Sequence, residues 1–246
     1  MNEKQKELLS NIGVEITHNH IEILNWNHIS QNITLSEDFI REFQEYVNWI
    51  KISKHQKLSE DFIGEFLDKL DWSFISQNQP LSINFVRRFR NMIKWVSASF
   101  NKTLTEDMMR EFKDRIMWDV ISSRFLSEDF IRDFKDKINW RNISIREDLS
   151  EDFIREFSDE LKWDYISAKQ KLSYSFLLEF QDKIWWGNFF ELQEVEIKII
   201  KKFITKTSFK RTSEFKTDHL NELQKQEIQK ILNFKHLFKE ECSQKH

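Results

Sequence analysis

Apolar residues recur along this chain with two periods, one nested inside the other. The short period is helical. Counting Leu35 as position 0, apolar residues fall at positions 4, 5, 8 and 12, namely Phe39, Ile40, Phe43 and Val47. At about 100° per residue these positions share one side of an α-helix. Ser36 stands where an N-cap belongs, and Glu37 and Asp38 follow in the first turn, where the helix dipole favours anions. The long period is 23 residues. Tryptophan falls at 26, 49, 72, 95, 118, 140, 163 and 186, with a single spacing of 22, and Trp185 alone lies outside the series. Leu-Ser or Leu-Thr runs in register at Leu35, Leu58, Leu81, Leu104, Leu126, Leu149 and Leu172. The consensus is L-S-E-D-F-I-R-E-F-x-D-K-I-x-W-x-x-I-S-x-x-x-K, and seven copies fill residues 26–186.

A fixed period of about 20–50 residues is the signature of a solenoid. The pattern predicts an all-α solenoid of seven repeats. Each carries one long helix ending near its Trp, then a short helix or turn and a return loop. The recurring Trp, Phe and Ile are expected to form the core that joins neighbouring repeats. The Ser of each I-S pair (Ser30, Ser53, Ser76, Ser99, Ser122, Ser144, Ser167) reads as a cap or turn residue and not a nucleophile, since no His accompanies it. Residues 1–25 read as an N-terminal cap, a degenerate half-repeat with Ile21, Ile23 and Leu24 facing the stack. Residues 187–246 lose the period and read as a helical cap or a basic arm, with Asp218 as N-cap of an amphipathic helix to about residue 240.

Composition narrows the class further. Three Gly and one Pro in 246 residues exclude hairpin-rich sandwiches and barrels, and with them Gly-rich phosphate loops and Rossmann turns. The net charge of −3 leaves no global polycation for nucleic acid. A single Cys, Cys242, cannot form an internal disulfide and points to a reducing compartment. No signal-peptide pattern follows Met1, and no apolar run approaches the ~20 residues of a membrane span. The expectation is a cytoplasmic protein without membrane contact.

No catalytic constellation emerges. His18-Asn19-His20 spells a nuclease-like triplet, but no β-hairpin accompanies it. His18, His20 and His28 without Cys make a weak metal set. The many carboxylates repeat every 23 residues, whereas catalysis needs an asymmetric, desolvated group. No enzyme activity, cofactor or metal is expected.

The surface charge is more informative. Positions 3, 7 and 10 form an acidic stripe, and positions 6, 9 and 13 a more basic one. In repeats 1, 2, 4, 5 and 6, positions 2, 3, 7 and 10 are acidic in all twenty cases. Glu37, Glu106, Glu128 and Glu151 each precede an Arg by four residues, the spacing of an ordinary helix-surface pair. Repeat 3 breaks the rule: the four positions are Ile83, Asn84, Arg88 and Asn91. Its helix adds Arg87, Arg90 and Lys94, and 81–105 holds five basic residues and no acid. Arg87 has lost its partners at positions 2 and 10 and reads as unpaired. Three readings follow: a functional contact, drift, or docking of an acidic segment of the same chain or a second copy. A second basic run, Lys198, Lys201, Lys202, Lys206, Lys210 and Arg211, holds no acid between its ends.

The units "LSEDFIREF" at 35–43, "LSEDFIRDF" at 126–134 and "LSEDFIREF" at 149–157, each followed by W-x-x-I-S, resemble the 23-residue tandem repeats of proteins from giant DNA viruses and other AT-rich genomes. The likeness covers about two-thirds of the chain and implies an intracellular, virus-encoded protein. It carries no activity. The unit is also similar in build to leucine-rich-variant solenoids, by analogy alone.

The expected function is therefore non-catalytic binding of a macromolecule, foremost a protein, through Arg87, Arg88, Arg90 and Lys94, with the 198–211 cations as a second contact. In a viral setting the partner would be a host factor, a defence component or a virion protein. The alternative is nucleic acid held by the same cations. Oligomeric state is left open.

Overall fold

The structure, a computed structural model, describes residues 2–14, 21–207, 216 and 218–243, with side chains of 234–243 excepted. The described residues are all helical, with no strand, and form an all-α repeat solenoid. They divide into two compact bodies, Met1–Ile121 and Ser122–His246.

Each repeat differs from the expected long helix in one respect: it is cut in two. A six-residue helix such as Glu37–Glu42 opens the repeat, and a second helix starts at the Trp, as in Trp49–His55. Between them lies a turn. The leading helix closes at Phe43, and five residues later position 13 is extended: Asn48, Asp71 and Asn139 cap the Trp-led helix with their side chains, whereas Lys94 and Lys162 are extended without a side-chain bond. An extended residue cannot belong to a helix, so the Trp-led helix starts afresh after it. The leading helix starts as its sequence says, with the Ser36 side chain accepting from the Phe39 amide at 3.1 Å.

Repeats join through rings. Trp49 packs on Phe66 of the next repeat at 5.0 Å, Trp95 on Phe112 at 4.8 Å, Trp140 on Phe157 at 4.8 Å and Trp163 on Phe180 at 5.2 Å. The indole N–H of Trp26, Trp49, Trp72, Trp95, Trp118, Trp163 and Trp186 donates to the carbonyl five residues back, as Trp72 does to Leu67 at 3.0 Å, so the ring also satisfies the turn. Trp26, Trp72 and Trp186 are buried, while Trp95, Trp118 and Trp140 are half-buried, with one edge toward solvent. In several repeats a cation lies over the ring: Lys69 over Trp49 at 5.5 Å and Arg115 over Trp95 at 5.8 Å.

The I-S serines are neither caps nor surface residues. All seven are buried; six lie inside the Trp-led helices, and Ser122 lies in the turn just past Ile121. Each accepts the backbone N–H of position 13 in the next repeat, at 2.8–3.0 Å for Ser53, Ser76 and Ser99. Ser53, Ser99, Ser144 and Ser167 also donate to the Trp carbonyl of their own helix. A second buried row was not legible as a motif. Gln56 and Gln79 project between repeats. Gln79 Oε1 accepts from the Leu58 amide at 3.1 Å and its Nε2 donates to the Gln56 carbonyl at 2.7 Å. Asn101, Gln170 and Gln193 donate to carbonyls of the previous repeat in the same way.

The ends also depart from expectation. The period does not stop at 186. Val195 lies 23 residues after Leu172, and the helix Ile197–Phe203 buries Ile199, Ile200 and Phe203 at positions 4, 5 and 8 of an eighth, Trp-less repeat. The marker residues are lost there (Val-Glu replaces Leu-Ser), but the apolar spacing persists. The helix Glu222–Ser243 then covers this repeat with Ile228 and Leu232. Its start is the mutual Asn221–Gln224 cap and not Asp218. At the other end the helix Glu3–Asn11 buries Leu9, and Lys4 reaches Glu42 of repeat 1 at 3.3 Å. Ile21 is buried, but Ile23 is exposed.

Candidate functional site

The acidic and basic stripes are the two halves of an inter-repeat ladder. The Arg at position 6 reaches the Glu at position 7 of the next repeat: Arg41–Glu65 at 2.8 Å, Arg132–Glu156 at 2.7 Å and Arg155–Glu179 at 2.8 Å. The Lys at position 11 reaches back to the acid at position 10 of the previous repeat: Lys69–Glu45 at 3.0 Å, Lys183–Asp159 at 2.6 Å and Lys206–Asp182 at 3.0 Å. The Glu at position 2 accepts the N-cap Ser amide of the next repeat, as Glu37 does from Ser59 at 2.6 Å and Glu128 from Ser150 at 2.7 Å. The expected i,i+4 pairs do form, but at a longer 3.5–3.6 Å. Hydrogen bonds donated to these carboxylates hold Arg41, Arg132 and Arg155 above the ordinary guanidinium range. Each rung is solvent-exposed and contributes little alone. As a set the rungs fix the register between repeats.

Arg87 of repeat 3 is not unpaired, contrary to the expectation from its own helix: its main partner is in the next repeat. Arg87 makes a two-pronged contact with Glu111 at 2.7–3.0 Å and a further bond to Asn84 at 3.2 Å. That hydrogen bonding raises Arg87 and lowers Glu111 relative to their ordinary ranges. Arg87 is a rung and is not free.

The other cations are different. Arg88 occupies position 7, where a rung would need a carboxylate. The residue that would face it, at position 6 of repeat 2, is Gly64 and not Arg. The second body repeats this exchange, with Lys202 at position 7 after Leu178 at position 6. A cation at position 7 is thus matched by the removal of the Arg that it would meet. Arg88 is exposed, and nothing lies within 4 Å of where a Gly64 side chain would begin. Its guanidinium lies over the Phe89 ring at 4.9 Å. Arg90 and Lys94 are exposed, and no carboxylate pairs with them among the described residues. Asn91 replaces the acid that Arg115 would meet, and Met92 replaces the Lys that Asp68 would meet. Arg115 therefore joins the unpaired set, a residue that the sequence pattern missed because its lost partner lies in the preceding repeat. Within the first body, repeats 1 and 2 keep both charged rungs, and the breaks all involve repeat 3.

Gly64 also gives a stability prediction. It sits inside the helix Glu60–Glu65 without positive φ and with room for a methyl group. Gly64→Ala should stabilise the first body by about 0.5–1 kcal/mol, through helix propensity and a less flexible unfolded chain. Denaturant unfolding measures it.

The C-terminal cations are mostly engaged. Lys198 pairs with Glu196 at 2.7 Å, Lys201 with Glu227 at 2.7 Å and Lys206 with Asp182 at 3.0 Å. Lys202 has no carboxylate partner among the described residues, and Lys210 and Arg211 lie outside them. His18 and His20, and the Cys242 side chain, also lie outside the described residues. Among the described residues no group of three or more His, Cys, Asp or Glu side chains could hold a metal, and no helix is long and apolar enough to cross a membrane.

No protein-family model, curated protein or solved structure matches this chain.

Proposed function

We propose that the protein is a non-catalytic interaction module that binds an acidic surface of another protein through Arg88, Arg90 and Lys94 of repeat 3, with Arg115 beside them. One observation carries this reading. A ladder that neutralises its charges in repeats 1 and 2 is interrupted at repeat 3, and the interruption leaves cations exposed without carboxylate partners among the described residues. Unpaired guanidinium groups are ready to make bidentate contacts with carboxylates. Arg87, first grouped with them, serves the stack instead. The resemblance to giant-virus repeat proteins extends the proposal: the partner would be a host factor, a defence component or a virion protein.

The test is a charge reversal that spares the ladder. R88E/R90E/K94E touches no rung, so the variant should fold as the wild type does. Its affinity for a protein partner should fall about 100-fold or more, since each lost charge-assisted contact is worth roughly tenfold. Reversal of Lys51, Lys54 and Lys57 serves as the control. Proteins retained by the immobilised wild-type chain and the control, but lost from R88E/R90E/K94E, meet the expectation. Equal retention by all three refutes it. Retention of nucleic acid, with affinity falling log-linearly in salt, would establish the alternative reading.

A further inference from the structure

We infer that the partner contributes an acidic amphipathic segment, whose carboxylate takes the vacant ladder seat at Arg115 and whose apolar side chains cover an exposed patch on the Trp-led helices of repeats 3 and 4. The inference rests on the reading above and specifies the chemistry of the partner.

The seat comes from the ladder. At position 11, Lys69 meets two groups of the previous repeat: Gln44 Oε1 at 3.0 Å and Glu45 Oε1 at 3.0 Å. Lys183 meets the Ser158 carbonyl at 3.0 Å and Asp159 Oδ1 at 2.6 Å. In repeat 4 the same position is Arg115, and the two residues before it in the ladder are Arg90 and Asn91. The register thus brings a second cation beside the first and removes the carboxylate between them. Arg115 is also an Arg where the other cations of the row (Lys69, Lys137, Lys183 and Lys206) are Lys. A guanidinium presents a planar fork suited to a carboxylate delivered from outside.

The patch comes from the same register. Asn27, one residue after Trp26, and Asn48, one residue before Trp49, meet across adjacent repeats with their side chains at 2.6 Å. Lys54 and Phe74 form another such pair, with the ammonium 5.4 Å from the ring. In repeats 3 and 4 these positions hold Val96 with Met117, and Phe100 with Val120. An amide pair and a cation–ring pair elsewhere are therefore two apolar pairs here. Val96 is 62% exposed and Phe100 54%. Trp95 links patch and seat, since Arg115 lies over its ring and Val96 follows it in the chain. Exposed aliphatic and aromatic surface flanked by cations complements a protein segment that carries both apolar groups and carboxylates. A phosphate backbone would use the cations and leave Val96 and Met117 uncovered.

A random sixteen-residue peptide display library, selected on the full chain, tests this without knowledge of the natural partner. Selected peptides should combine Asp or Glu with Leu, Ile or Phe. Their affinity, read by fluorescence anisotropy, should fall at least about tenfold for Phe100→Ser and again for Arg115→Gln, each being the loss of one anchoring contact. Both residues are exposed, so circular dichroism should show both variants folded. Binders that lack acids, or that bind both variants with unchanged affinity, overturn the inference, as does a library that yields no binder. Single-stranded DNA that binds the wild type and loses affinity in Arg115→Gln but not in Phe100→Ser also overturns it. If R88E/R90E/K94E abolishes binding while Phe100→Ser and Arg115→Gln do not, the repeat 3 site stands and only the amphipathic segment fails. If no variant matters, the site itself fails.

Discussion

Trp72→Ala should destabilise the first body by about 3–5 kcal/mol, the usual cost of removing a large buried aromatic and leaving its cavity. Trp72 is 8% exposed and lies between repeats, 6.4 Å from Phe85 and 5.9 Å from Phe89. Its loss empties the interface where both charged rungs are already missing, since Gly64 and Met92 stand in for the Arg and the Lys. What remains there is the Ser82–Glu60 cap bond, the Lys94 amide on Ser76 and the Asn101 bonds to the Ser76 and Gln79 carbonyls. Coupling in a solenoid is nearest-neighbour, so hydrogen exchange should rise first in residues 60–93 and only later toward the amino terminus. Trp95→Ala is the comparison. That ring is half-buried, and its substitution should cost measurably less. Equal losses for the two would mean that ring burial does not set the inter-repeat energy.

The sequence pattern carried the repeat, its phase and the start of each leading helix, because Leu-Ser-Glu-Asp and the Phe-Ile-Phe spacing are local signals that nothing tertiary overrides. It did not carry the break before Trp. D-K-I-x-W continues a helical period on paper, and the capping residue hides at a variable position that is Asn48, Asp71 or Asn139 in some repeats and Lys94 or Met117 in others. The charge pattern was visible, but its partners were not. Arg41 lies four residues from Glu37 and 24 from Glu65, and helix geometry favours the near pair, whereas the structure gives the distant pair the shorter bond, 2.8 against 3.5 Å. A cue was present: Gly64 and Leu178 replace Arg 24 residues before Arg88 and Lys202. Read that way, the chain itself states that position 6 meets position 7 of the next repeat. Arg87 would then have been assigned to Glu111, and Arg115 would have entered the candidate site.

The buried amides were the least legible element, and they support the second large effect. Gln79→Leu should destabilise the chain by about 2–4 kcal/mol, since each buried group left without its hydrogen bond costs roughly 1–3 kcal/mol. The side chain is 3% exposed, and Leu is of comparable size, so packing changes little while two bonds disappear. The Leu58 amide loses its acceptor and the Gln56 carbonyl loses its donor. Both belong to return loops, which have no helical ladder of their own to fall back on. Gln56 in turn accepts from the Leu35 amide and donates to the Ser30 and Ile33 carbonyls, so the fault can pass one repeat further back. Residue type matters less here than reach and a polar end, which explains why Asn101, Gln170 and Gln193 perform the same task without forming a consensus. The Leu58 amide reports the mechanism directly. Its exchange should quicken in Gln79→Leu beyond the global loss of stability, because its acceptor is gone even while the fold persists. Unchanged protection of Leu58 would show that a different group satisfies that amide, and the amide row would then be packing rather than hydrogen bonding.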